Sequence, residues 1–152
     1  MSTYSVPRNL APDVFFASLP SDATEVLFDM ADKYPISQGD IVLPRRDLLV
    51  IGGCGARMDL GPNSNGFTTP VRDQQDAMAG TSSRYTIKDF GMITGGKRAV
   101  NLAATLGSSV HGLKVQNQIE CAIDLRFALL ADVKKVIITN PVNDGIRVGV
   151  GD

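Results

Sequence analysis

One histidine, two cysteines and no tryptophan occur among the 152 residues of this chain. His111 with Cys54 and Cys121, and no CxxC pair, cannot assemble a Cys/His zinc site. The two cysteines could form one long-range disulfide, but two free thiols in a reducing compartment is the favoured reading. No long apolar run is present. Leu48–Ile51 is far short of a membrane span, and Met1–Arg8 has no apolar core of the kind a secretory signal needs, so a cytosolic chain is expected. Charge of one sign is also lacking: 15 basic and 16 acidic residues leave a net charge of -1. That balance gives no general attraction to nucleic acid or to an anionic membrane, and Arg45-Arg46 and Lys134-Lys135 are too short to make a basic footprint.

Recognisable catalytic patterns are absent as well. There is no GxSxG elbow, and Ser108 and Ser109 beside His111 do not make a triad by adjacency in sequence. Gly52-Gly53-Cys54-Gly55 lacks GxGxxG spacing, and Gly95-Gly96-Lys97 is followed by Arg98 where a phosphate loop carries Ser or Thr, so both read as turn glycines. Asp73 and Asp76 would share a helix face, which is ordinarily a solvated one. No catalytic, cofactor-binding or metal-ligating residue is assigned, and a non-enzymatic protein is expected.

Globular composition is what remains: 43% hydrophobic and 20% charged residues, enough for one domain. Pro7, Pro12 and Pro20 surround Phe15-Phe16, so residues 1–20 read as an extended arm whose two phenylalanines dock on something. Ser21 caps an expected helix over Asp22–Lys33. Ile41–Leu43 and Leu48–Ile51 read as a short strand pair, and the Gly- and Asn-rich residues 52–70 as a long loop. Thr68–Ala79 reads as a modest helix, and Arg84–Thr94 selects no period. From Leu113 to Ala131, the apolar residues Val115, Ile119, Ala122, Ile123, Phe127 and Leu130 form a helical stripe. Val133–Asn140 and Ile146–Val150 read as strands joined by a turn at Asp144-Gly145. No internal repeat is apparent. The fold class expected is α+β: a single domain over 21–152, in which a helix precedes a C-terminal β-hairpin on a small mixed sheet.

Met92-Ile-Thr-Gly-Gly-Lys-Arg-Ala-Val-Asn101, then Leu106-Gly-Ser-Ser-Val110, then an amphipathic helix and closing strands, resembles the baseplate wedge or sheath-initiator family of contractile phage tails and related injection machines. The resemblance spans roughly residues 70–152. Where the family carries Glu-Pro-Arg, this chain has Leu130-Ala131-Asp132. It implies a structural virion protein of the tail, assembled in the host cytoplasm. Such a protein is present in symmetric multiple copies, with other wedge and sheath proteins as partners and no cofactor, nucleic acid or membrane. The residues expected at interfaces are Phe15 and Phe16 of the arm and Ile146, Arg147, Val148 and Val150 of the last strand, whose outer edge is free to pair with another chain. The alternatives are another virion connector, such as a tail terminator or head–tail joining protein, or a small ligand-binding or enzymatic domain using Gly52–Gly66.

Overall fold

The structure, a computed structural model, describes residues 2–30, 33–70 and 83–149. Its elements are β1 (Ser2–Ser5), α1 (Pro12–Ala17), β2 (Ala23–Leu27), β3 (Ile41–Val42), β4 (Leu49–Gly52), β5 (Arg57–Leu60) and β6 (Asn65–Thr68). After them come β7 (Tyr85–Gly95), β8 (Arg98–Leu106), β9 (Ser109–Gln116), β10 (Cys121–Leu129), β11 (Asp132–Thr139) and β12 (Asp144–Gly149). One sheet has the order β1-β2-β4-β7-β9-β11, with β5 also beside β7, and the other has the order β12-β10-β8-β6-β3. All the pairings are parallel. Consecutive strands alternate between the sheets from β7 onward, so the chain winds in coils that stack on one another. This is a β-solenoid.

The winding follows from where the apolar residues fall. In the first sheet Val26, Ile51, Ile87, Val110 and Val133 are aligned from strand to strand. In the second, Ile41, Phe67, Val100, Ile123 and Ile146 form an equivalent column. Leu102, Leu125 and Val148 form another beside it. Val110 lies midway in sequence between Ile87 and Val133, and Ile123 lies midway between Val100 and Ile146. The interval is the same in both columns. The last three coils therefore share one constant period, the signature of a stacked repeat.

The bends keep the same period. Asp89, Gly112 and Lys135 all have positive φ (64°, 69° and 54°), as do Asn117 and Asn140, Ala104 and Phe127, and Gly107 and Leu130. Within each set the members are separated by the interval that separates Ile87 from Val110, so each set marks one corner of successive coils. A left-handed residue breaks the alternation of a strand and turns it without a loop. Gly112 is needed at its corner for a second reason: a Cβ there would lie 2.7 Å from Asp89 Oδ1.

Between the sheets the core is apolar, with an aromatic cluster at the first coils. The Phe28 ring lies 5.0 Å from Phe90, 5.2 Å from Tyr34 and 6.2 Å from Phe67, in edge-on geometry. Phe16 of α1 packs on Phe28 and Phe67, so this short helix with Pro12 at its start lies over the core at β3. Asp13 fixes it there, accepting from the Gly39 amide at 3.0 Å and donating its own amide to Ser37 Oγ at 3.2 Å.

Several expectations are corrected. The fold class is not α+β: α1 is the one helix among the described residues, and it lies within the expected extended arm. Leu113–Ala131 is not a helix but the end of β9, a turn and β10; Ile123 is buried there, while Ile119 is 44% exposed. β11 and β12 are not a hairpin, because they belong to opposite sheets and each pairs in parallel with an earlier strand. β2 replaces the start of the Asp22–Lys33 helix, β5 and β6 occupy the expected 52–70 loop, and β3 and β4 do not pair with each other. Most of the Thr68–Ala79 helix lies outside the described residues.

Two substitutions test this packing. Phe67→Ala should cost about 3–5 kcal/mol, measured by denaturant unfolding. Gly66→Ala should cost at least about 3 kcal/mol, because its Cβ would sit 2.0 Å from the Ala99 carbonyl oxygen in the neighbouring strand. A Gly66→Ala protein of unchanged stability would contradict the close approach of these coils.

Candidate functional site

Polar side chains on the second sheet gather around one buried carboxylate. Asp124 on β10 is 2% exposed; its Oδ2 accepts from Arg98 Nε at 2.9 Å and lies 3.8 Å from both Arg126 Nη2 and Arg147 Nη1. Parallel register brings them together: Asn101, Asp124 and Arg147 are aligned on β8, β10 and β12. Arg98 Nη1 also donates to Asn65 Oδ1 at 3.2 Å. Glu120 Oε2 is 2.7 Å from Arg98 Nη1, a contact of charge and not an aligned hydrogen bond. Asn65 in turn donates its backbone and side-chain amides to Asp40, and Asn101 Nδ2 donates to Thr68 Oγ1 at 2.9 Å.

Asp40, Asn65, Arg98, Asn101, Ala103 and Arg126 line a depression of about 140 Å3. Chemically the cluster is largely self-satisfied. Arg98 donates to Asp124 and Asn65 and lies against the Glu120 carboxylate, and Arg147 makes two bonds to Asp144 Oδ2 at 3.1 and 3.3 Å. The result is a ladder that ties one coil to the next, with a mixture of charges and no concentration of one sign. Among the described residues no group of three or more His, Cys, Asp or Glu is placed to hold a metal ion, and no helix is long and apolar enough to cross a membrane.

A second feature lies at the end of the stack formed by β11 and β12. Their inner residues continue the buried columns: Val133 follows Val110, Val136 follows Leu113, Ile138 follows Val115, Ile146 follows Ile123 and Val148 follows Leu125. In the earlier coils these positions are almost fully buried. Here Ile146 is 46% and Val148 73% exposed, and Val133, Val136 and Ile138 are only half-buried. Among the described residues each of these strands pairs on one side only. Among the described residues the last rung is therefore apolar and uncovered, and both of its strands have one edge without a partner.

The structure separates the residues expected at interfaces. Phe16 is buried in the core and Phe15 packs against it, so both are used within the chain. Ile146 and Val148 belong to the uncovered rung, and Arg147 joins the polar ladder. Val150 lies outside the described residues. Sequence reasoning missed the Asp124 cluster, whose members are scattered from Asp40 to Arg147 and become neighbours only through the coil register. The three basic partners at Arg98, Arg126 and Arg147 carry no local pattern that would have grouped them.

No family model matches the chain, and no curated protein or solved structure is significantly similar to it.

The two thiols are in contrasting places. Cys54 is exposed at a turn, whereas Cys121 is buried and its thiol is pushed above the ordinary range, first by burial and then by the nearby Asp124 carboxylate. A thiol reagent should therefore label Cys54 alone in the folded protein and Cys121 only after unfolding; rapid labelling of both would contradict the packing of β10. In the ladder, Asp124→Ala should cost about 3 kcal/mol because it leaves the largely buried Arg98 without its main partner. Arg147→Ala, at a more exposed position, should cost no more than about 1 kcal/mol. Equal losses in the two variants, read from unfolding curves, would contradict Asp124 as the hub.

Proposed function

We propose that this protein is a structural subunit of a larger assembly and works by strand addition at the rung formed by β11 and β12. The observation that carries this reading is the exposure of Ile146 and Val148 in columns that are otherwise buried, beside strand edges with no partner among the described residues. Repeat proteins need a polar or covered terminal unit, and a bare strand edge is a template for another strand. Added strands would cover the apolar rung and take up its free backbone groups together. The self-satisfied Asp124 ladder supports a scaffold in preference to a reaction centre, since its charges are committed to one another.

A virion tail is the setting we propose for such a subunit, as the resemblance to baseplate wedge proteins implied, with sheath and wedge proteins as the class of partner. That setting rests on the resemblance in residues 70–152 alone. The helix and hairpin it implied are parallel strands here, so strand addition is argued from the end of the solenoid and not from the family.

Electron cryomicroscopy of the particle that contains the protein should place a strand of another polypeptide against β11 or β12. Val148→Lys, which puts a charge into the apolar rung, should leave the chain folded and sharply reduce its incorporation. Normal incorporation of this variant, or a particle in which both edges are bare, would overturn the proposal.

A further inference from the structure

We infer that the depression on the second sheet is a binding site for one unit of a neutral, hydroxyl-rich ligand, a sugar residue. The site is separate from the edges of β11 and β12, and it stands whether or not strands are added there. Its size comes first. About 140 Å3 is well below the roughly 300–1,000 Å3 of sites that take drug-sized molecules, so the space suits one small ring. Ala103 is the sole apolar residue of the described lining, against Asp40, Asn65, Arg98, Asn101 and Arg126. An apolar ligand would cut these polar groups off from water and offer them nothing in return.

The hydrogen-bonding groups left open set the chemistry of the ligand. Asn101 is 8% exposed, and its Nδ2 donates to Thr68 Oγ1 at 2.9 Å. That hydroxyl gives its own hydrogen to the Thr69 carbonyl at 3.5 Å, which orients the Asn101 amide with its nitrogen toward Thr68. The amide oxygen accepts no hydrogen bond among the described residues. Asp40 accepts from Asn65 once at each carboxylate oxygen and keeps its remaining lone pairs. Arg98 donates through Nε to Asp124 and through Nη1 to Asn65, and its Nη2 makes no hydrogen bond among the described residues. Two acceptors and a guanidinium donor therefore border one small space. A hydroxyl donates and accepts at a single atom, so neighbouring hydroxyls on a ring satisfy this mixture. Charge argues against an ion. Arg98 and Arg126 are balanced by Asp40 and by Asp124, which lies 2.9 Å from Arg98 and 3.8 Å from Arg126, so a net charge of either sign gains little.

Amide NMR spectra of the full chain, titrated separately with glucose, galactose, mannose and N-acetylglucosamine, test the site. At least one of these sugars should give saturable shifts centred on Asn65, Arg98, Asn101 and Ala103. Asn101→Ala, which removes the open acceptor, should weaken that binding about tenfold, the loss of one hydrogen bond. Because this variant also loses the bond to Thr68, Ala103→Val serves as a second. It leaves every polar group in place and fills the depression, so it should abolish the shifts while the rest of the spectrum stays that of the folded chain. Inorganic phosphate and glycine are the charged probes. Saturable shifts at these residues with either of them and with no sugar would overturn the neutral ligand. Sugar binding that Ala103→Val leaves unchanged, or no saturable shift with any of the four sugars, would overturn the site.

Discussion

In a parallel stack each residue lies about 4.8 Å from the residue that holds the same place in the next coil, and this contact is what the whole molecule depends on. Val26, Ile51, Ile87, Val110 and Val133 touch in this way, and so do Ile41, Phe67, Val100, Ile123 and Ile146. β-Branched residues suit such columns because their shapes repeat from rung to rung with little rotamer freedom to lose. Register is then fixed by burial, since a slip by one residue would turn an entire column outward. The corners obey the same constraint. Asp89, Gly112 and Lys135 adopt one unusual backbone conformation because three stacked coils must turn at one place.

Stacking also determines what each coil requires of its neighbours. An interior coil is covered on two sides, and there even polar residues become buried: Asp124 is compensated by arginines from its own coil and from the coils before and after it. At the first coils α1 and the aromatic cluster lie over β3 and the core, while β1 pairs with β2 alone among the described residues. At β11 and β12 the same inner residues occur without cover, so the apolar cost that interior coils avoid is left exposed. The proposed assembly function follows from the exposure of those inner residues.

Part of this was legible in the sequence. The β-branched runs at Val133–Asn140 and Ile146–Val150 read as strands, and β11 and β12 lie there. Their neighbours were not legible, because a turn between two strands does not say whether they pair or enter opposite sheets. The misread helix has a specific cause. Inner residues run Val110, Leu113, Val115 and then Ile123, Leu125, with left-handed bends at Gly112 and Asn117. A bend turns a spacing of two into three, and a strand interrupted in this way imitates a helical stripe. The coil repeat escaped for another reason. Its columns share apolar character and not identity, while Lys88, His111 and Lys134, aligned on the outer face, obey no packing rule that would keep them alike. Of the polar cluster nothing was legible, because residues from Asp40 to Arg147 meet only once the register is known.

Deleting one whole coil tests the account most directly. Removal of residues 107–129 joins Leu106 to Leu130 and sets Val133 on Ile87 and Ile146 on Val100 without a change of register. The shortened protein should keep a β-type circular dichroism spectrum and unfold cooperatively, somewhat less stably than the parent, whereas deletion of roughly half a coil should not fold. A coil deletion that fails to fold, or one no better than the half-coil deletion, would contradict the stacked repeat.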